Sequence, residues 1–256
     1  MTMENQKETI PEKFKRIFSI ADDSASHSEI RSRILDGGKV TGTNMCVLVC
    51  AMVIASVGLN MSSTAVIIGA MLISPLMGSI LASAYASISA DYSLLRKHMT
   101  GLALQVALSV IAASIYFFLS PVKEPTVELL ARTSPTFFDV LIAFFGGIAG
   151  IIGQTREDKT NTVIPGVAIA TALMPPLCTC GYSIANGRWD MLLGAGYLFI
   201  INAYFIFISA AIIMSVLKIP RSRELTDKEW RRYRLRMVRN TIIVTIPSII
   251  AVYSML

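Results

Sequence analysis

Apolar residues run without a charged side chain from Val40 to Ala90, and further apolar runs cover about 98–119, 137–153, 161–186, 191–217 and 239–256. An α-helix rises 1.5 Å per residue and a bilayer core is about 30 Å thick, so one crossing takes about 20 apolar residues. The first stretch therefore holds two crossings joined near Gly58-Leu59-Asn60. The last run is diluted by Thr241, Thr245, Pro247 and Ser248. The pattern predicts an all-α integral membrane protein with six or seven transmembrane helices.

Two runs are interrupted at matched places. Leu72-Ile73-Ser74-Pro75-Leu76 and Leu173-Met174-Pro175-Pro176-Leu177 align at an offset of 101 (176 − 75). A proline removes a backbone donor and frees a carbonyl that lipid cannot satisfy, so such a break belongs in a protein interior or beside a cavity. The order helix, broken helix, helix then occurs twice, over about 44–120 and about 137–217. Three spans per unit turn the second copy upside down, giving two inverted three-helix repeats, each with a proline-broken central helix. Asn60, Ser62, Ser63 and Thr64 before the first break, and Thr160, Asn161 and Thr162 before the second, suit helix N-caps at an aqueous end. Small residues crowd both breaks, and close helix packing accounts for them without any ligand.

Composition fits the same class: 54% of residues are hydrophobic and only 16% charged, with a mean hydropathy of +0.60. With the N-terminus inside, the inner segments hold seven Lys and Arg over 1–43, then Arg96 and Lys97, Arg156 and Lys159, and nine from Lys218 to Arg239. Only Lys123, Arg132 and Arg188 remain outside, which supports a cytoplasmic N-terminus. The net charge of +6 comes mostly from Arg221 to Arg239. It reads as a juxtamembrane anchor on an anionic inner leaflet rather than a nucleic-acid surface. Residues 1–43 form a cytoplasmic segment without a signal-peptide core, and Ser26 to about Leu35 suits a short amphipathic helix lying on the surface. A basic segment, 218–238, precedes the seventh span at 239–256.

Chemistry-bearing residues are few. Ionisable groups within spans are nearly absent, which disfavours a carboxylate proton relay. Asp139, one turn into the fourth span, reads as an interfacial cap, and Asp91 and Asp190 as caps of the helices that follow the breaks. The polar loop from Gln154 to Lys159 reads as a solvated turn, and Asn202 as a buried group in need of an interhelical partner. Cys46, Cys50, Cys178 and Cys180 lack a zinc pattern, and no nucleophile triad or phosphate loop is present, so neither a metal, a cofactor nor an enzyme is expected.

The segments Ala65 to Gly78 and Pro165 to Leu177, with Ala131-Arg132-Thr133-Ser134-Pro135, Asp139, Gly146, Gly147 and Gly150, resemble the domain-of-unknown-function 389 family over about 31–217. The resemblance implies a prokaryotic multi-span inner-membrane protein and names no activity. Two functions follow from the residues. A transporter or channel-like permease for a small polar or anionic solute would place its site at Ser74-Pro75 and Pro175-Pro176, with Ser79, Thr171 and Thr179 as polar contacts. There, half-helix N-termini suit an anion and freed carbonyls a cation. A non-transporting scaffold or lipid-interacting regulatory protein would use the prolines as packing kinks only. Small-residue faces suit a homo-oligomer in either case.

Overall fold

The structure, a computed structural model, describes residues 24–156, 173–219 and 226–253, which are helical apart from turns, connections and one isolated β-bridge, Ser24 to Arg156. In chain order the helices are α1 (His27–Gly37), α2 (Gly42–Asn60), α3 (Thr64–Leu72), α4 (Leu76–Ile88), α5 (Tyr92–Leu119), α6 (Val127–Leu130), α7 (Phe137–Thr155), α8 (Met174–Ala185), α9 (Trp189–Val216) and α10 (Asp227–Tyr253).

Local chemistry sets their boundaries. Thr41, Asp91 and Thr126 accept from the backbone N–H of Asn44 (3.3 Å), Leu94 (2.9 Å) and Leu129 (3.4 Å), closing the first turns of α2, α5 and α6. The Thr136 backbone N–H and hydroxyl both donate to the Asp139 carboxylate at 2.7 Å, so Asp139 caps α7. Asp190 does not cap α9: it sits in the first turn, 3.7 Å from Arg188, which holds the cap position. α3 stops at Leu72 because Ser74 precedes a proline, and Pro75 has no N–H to continue the ladder. α4 resumes at Leu76, bent by 47° from α3. The polar residues before this break do not cap α3. Asn60 ends α2 and donates to Ser120 (2.7 Å), Ser63 holds the cap position without a side-chain bond, and Thr64 donates to Glu128 (3.0 Å).

Four helices, α2, α5, α7 and α9, are long and apolar enough to cross a membrane, and the bent pair α3 and α4 raises the number to five. The chain is a multi-pass membrane protein, with fewer describable spans than the hydropathy pattern predicts. The expected span at 161–186 is described only from Leu173 onward, because 157–172 lie outside the described residues. The expected seventh span is not a separate element. It is the second half of α10, whose first half carries Arg231, Arg232, Arg234, Arg236 and Arg239.

The helices close into a ring. α4 packs on α5 and α9, and α8 packs on the same two, whereas neither α4 with α8 nor α5 with α9 packs extensively. The ring runs α4, α5, α8, α9, with both diagonals apart. α2 supports it at α5 and α8, and α7 supports it at α9. The two short helices are the most buried elements, with 11 of 13 residues of α4 and 10 of 12 of α8 buried. They run in opposite directions: α4 toward a turn at Ala90, α8 toward a turn at Gly187 at the other end. Both turn residues are left-handed, φ 53° and 67°.

At the Ala90 end α1 does more than lie on a surface. It buries Ile30 and Ile34, its Arg31 Nε donates to the Tyr85 hydroxyl at 3.1 Å, and it packs on α4 and α7. Its exposed Asp36 accepts from Lys39 and Ser32, which hold the carboxyl below the ordinary range. At the opposite end Lys123 Nζ donates to the last carbonyls of α5, Phe117 and Phe118, both at 2.9 Å.

Glycines permit the closest helix contacts. A Cβ on Gly147 of α7 would strike the Ser209 hydroxyl and lie 2.8 Å from the Ile206 carbonyl oxygen of α9, whereas one on Gly69 meets nothing within 4 Å. Gly147→Ala is therefore expected to lower stability by about 1–3 kcal/mol. Gly69→Ala should instead raise it by up to about 1 kcal/mol through helix propensity. Thermal unfolding in detergent checks both signs.

Candidate functional site

Both proline steps stand at the start of a ring helix, in different registers. Pro75 occupies the cap position of α4, and Ser74 Oγ lies 3.4 Å from the Leu76 N–H; both residues are half-buried. Pro175 and Pro176 lie inside the first turn of α8 and are fully buried. Measured back from the turn residues Ala90 and Gly187, Pro75 is fifteen residues away and Pro176 eleven, a difference of about one helical turn. Tyr85 and Tyr182 each lie five residues before these turns, and both are fully buried. The prolines also make the two helix starts chemically unequal. The Leu76 N–H that opens α4 donates to Ser74 Oγ, while two prolines remove donors from the first turn of α8.

The predicted polar contacts are spread over the ring. Ser79 on α4 is fully buried, and its hydroxyl has no partner among the described residues. Thr179 on α8 is fully buried but satisfied, donating to the Pro175 carbonyl at 2.9 Å. α4 and α8 occupy opposite corners of the ring. Thr171 lies outside the described residues. Ser83 and Ser183 also bond to carbonyls of their own helices, at 2.8 and 2.7 Å.

One residue that the sequence pattern passed over stands out. Gln105 on α5 is fully buried, and neither its Nε2 nor its Oε1 has a partner among the described residues. Among the described residues Ser109, one turn on, is buried and unpartnered too, and Asn202 on α9 is 4% exposed with its Oδ1 unpartnered. Gln105 comes thirteen residues after the start of α5 and Asn202 thirteen after the start of α9, and both helices are 28 residues long. Every buried position of α5 has a buried counterpart at the same step along α9. A lone polar residue in an apolar run carries little periodic signal. Gln105 could have been found only by aligning the two long helices with each other.

Both amides lie at the height of the helix starts. α4 and α5 form a hairpin about Ala90, and residues equidistant from it lie level, as Ala82 and His98 do on either side of Gly38. Gln105 is thus level with Pro75. Across the other flank Gly181 of α8 abuts Ala113 and Ser114 of α5, Tyr182 meets Phe117 edge to face and its hydroxyl donates to the Lys123 carbonyl just past α5, so the two helices run toward the same end. Eight residues back on each, about 12 Å, Gln105 is level with Leu173, where α8 begins. Asn202 lies fifteen residues past Gly187, level with the same start. No Asp, Glu, Lys or Arg occurs in α4, in α8, in α5 beyond Lys97 or in α9 beyond Asp190. Among the described residues no cluster of His, Cys, Asp or Glu suits a metal ion, and the four cysteines are free thiols. Such an arrangement can accept and donate hydrogen bonds to a small solute without offering it a countercharge.

A family model described as domain of unknown function 389 matches residues 71–208, more than half of the chain and nearly all of the ring. An uncharacterised protein of Methanocaldococcus jannaschii is 29% identical over 234 residues, covering 91% of this chain and 68% of that one. No solved structure is significantly similar.

An amide left unpaired in a dry interior costs about 1–3 kcal/mol, and an apolar residue of similar shape removes that cost. Gln105→Met is accordingly expected to raise the unfolding temperature of the solute-free protein. A fall would mean that the amide holds the ring together.

Proposed function

Because the chain belongs to the domain-of-unknown-function 389 family, whose description names no activity, we propose its function from the ring. The protein is a transporter or channel-like permease for a small polar or anionic solute, contacted where α4 and α8 begin. The observation that carries this reading is the fully buried Gln105 amide, unpartnered at both ends among the described residues and level with both helix starts. Buried polar groups in a membrane protein find partners or mark a solute path. Gln105, Asn202, Ser79 and Ser109 are the proposed hydrogen-bonding contacts, and the N–H groups of the first turn of α4 beyond Leu76 favour the anionic end of the range.

The reading includes two inverted three-helix units, α2 to α5 and α7 to α9. In its support, α2 and α7 both have 19 residues, α5 and α9 both have 28, and the ring contacts exchange into one another when the units are swapped. The loop charges favour the Ala90 end as cytoplasmic, in what would be a prokaryotic inner membrane.

A scaffold without transport is favoured by a different observation, the internal bonding of Thr179, Ser83 and Ser183, which need no ligand. Labelling separates the two. In the permease, a Ser74→Cys thiol reacts with a water-soluble maleimide from one side of the membrane, and solute protects it. In proteoliposomes, flux of nitrate, formate or another small anion falls at least tenfold in folded Gln105→Leu. If no thiol at 74 or 175 ever labels and no anion moves, the scaffold reading stands.

A further inference from the structure

A cavity of about 360 Å³ lies away from the ring's amides, between the α4–α5 turn, α9 and α10. Its walls are of two kinds. Ala86, Ala90, Leu95, Phe207 and Met237 make an apolar side, and one face of α10 makes a polar side with Glu229, Arg232, Arg236 and Asn240. The spacing of three, four and four residues is that of one helical face, turned toward the apolar wall. α10 is fixed there: the Tyr197 hydroxyl donates to the Val244 carbonyl at 2.7 Å and the Tyr204 hydroxyl to the Met237 carbonyl at 3.2 Å.

The charges at this cavity are not balanced from within. Arg232 and Arg236 form no ion pair among the described residues. The Glu229 carboxylate is taken up by the start of α10, accepting from both the N–H and the hydroxyl of Thr226 at 3.0 Å. Two guanidiniums one turn apart with an amide beyond them form a donor array for a tetrahedral oxyanion, since each guanidinium presents a planar fork. The apolar wall facing them has no use in binding a bare inorganic ion, but it suits the carbon attached to a phosphate ester.

We propose that this cavity binds a phosphate ester, held by Arg232, Arg236 and Asn240 with its carbon portion against Ala86, Leu95 and Phe207. The phosphate comes either from an anionic phospholipid of the adjoining leaflet or from a soluble phosphorylated compound. The site couples that ligand to the ring, because Ala86 and Phe207 belong to α4 and α9. It does not depend on the ring conducting a solute.

The full chain in nanodiscs tests the proposal, with native mass spectrometry reading retained lipid and thermal unfolding reading stability. With phosphatidylglycerol present, one lipid per chain is expected to be retained over phosphatidylcholine by at least tenfold. Arg232→Gln/Arg236→Gln should abolish the preference, while Lys228→Gln/Arg231→Gln, which removes the same charge from the same helix outside the cavity, preserves it. In phosphatidylcholine nanodiscs, soluble glycerol phosphate is added instead. Stabilisation there that needs the same two arginines assigns the site to a soluble ester, and its absence alongside lipid retention assigns it to the membrane lipid. Equal losses in the two double variants, or no preference for either ligand, overturn the proposal, since general surface attraction would then explain any binding.

Discussion

A helix that stops inside a bilayer leaves backbone groups that lipid cannot satisfy, and the whole arrangement answers that constraint. α4 and α8 both begin at prolines, and they are buried along nearly their entire length. Each is walled by the two longest ring helices, α5 and α9. The long helices can approach this closely because their partners present small residues. Gly181 lies against Ala113, and Gly147 against Ile206 and Ser209. The same enclosure isolates Gln105 and Asn202 from water.

Much of the fold was legible in the sequence. Charge-free length marked α2, α5, α7 and α9, the Ser74-Pro75 step marked the end of α3, and Asp91 and Asp139 marked helix starts. The errors have physical causes. Proline identity suggested an offset of 101, but a proline is tolerated both at a cap and within the first turn of a helix, so matching prolines need not be equivalent positions. Counted from the turns at Ala90 and Gly187, the prolines differ by four residues, and an alanine in a left-handed conformation carries no recognisable signal. Asp190 resembled Asp91 in sequence, yet Arg188 holds the position that would have made it a cap.

The candidate site was less legible than the fold. Serine and threonine near a break look like ligands, but in a helix their hydroxyls bond readily to the carbonyl one turn back, as Thr179, Ser83 and Ser183 do. An amide side chain has no such internal solution for all its donors and acceptors. Gln105 was therefore the stronger indicator, although it lies within the run predicted at about 98–119 and outside either proline motif. The basic residues of α10 were read as a general surface anchor because their shared face with the α4–α5 turn depends on how α10 packs on α9.

The absence of Asp, Glu, Lys and Arg from the inner lengths of the four ring helices has an electrical consequence. Charged groups that move across a membrane field exchange about 2.3 kcal/mol per unit charge for each 100 mV. A rearrangement of this ring displaces no formal side-chain charge through that field. In the proposed permease, the membrane potential acts on the solute and hardly on the protein.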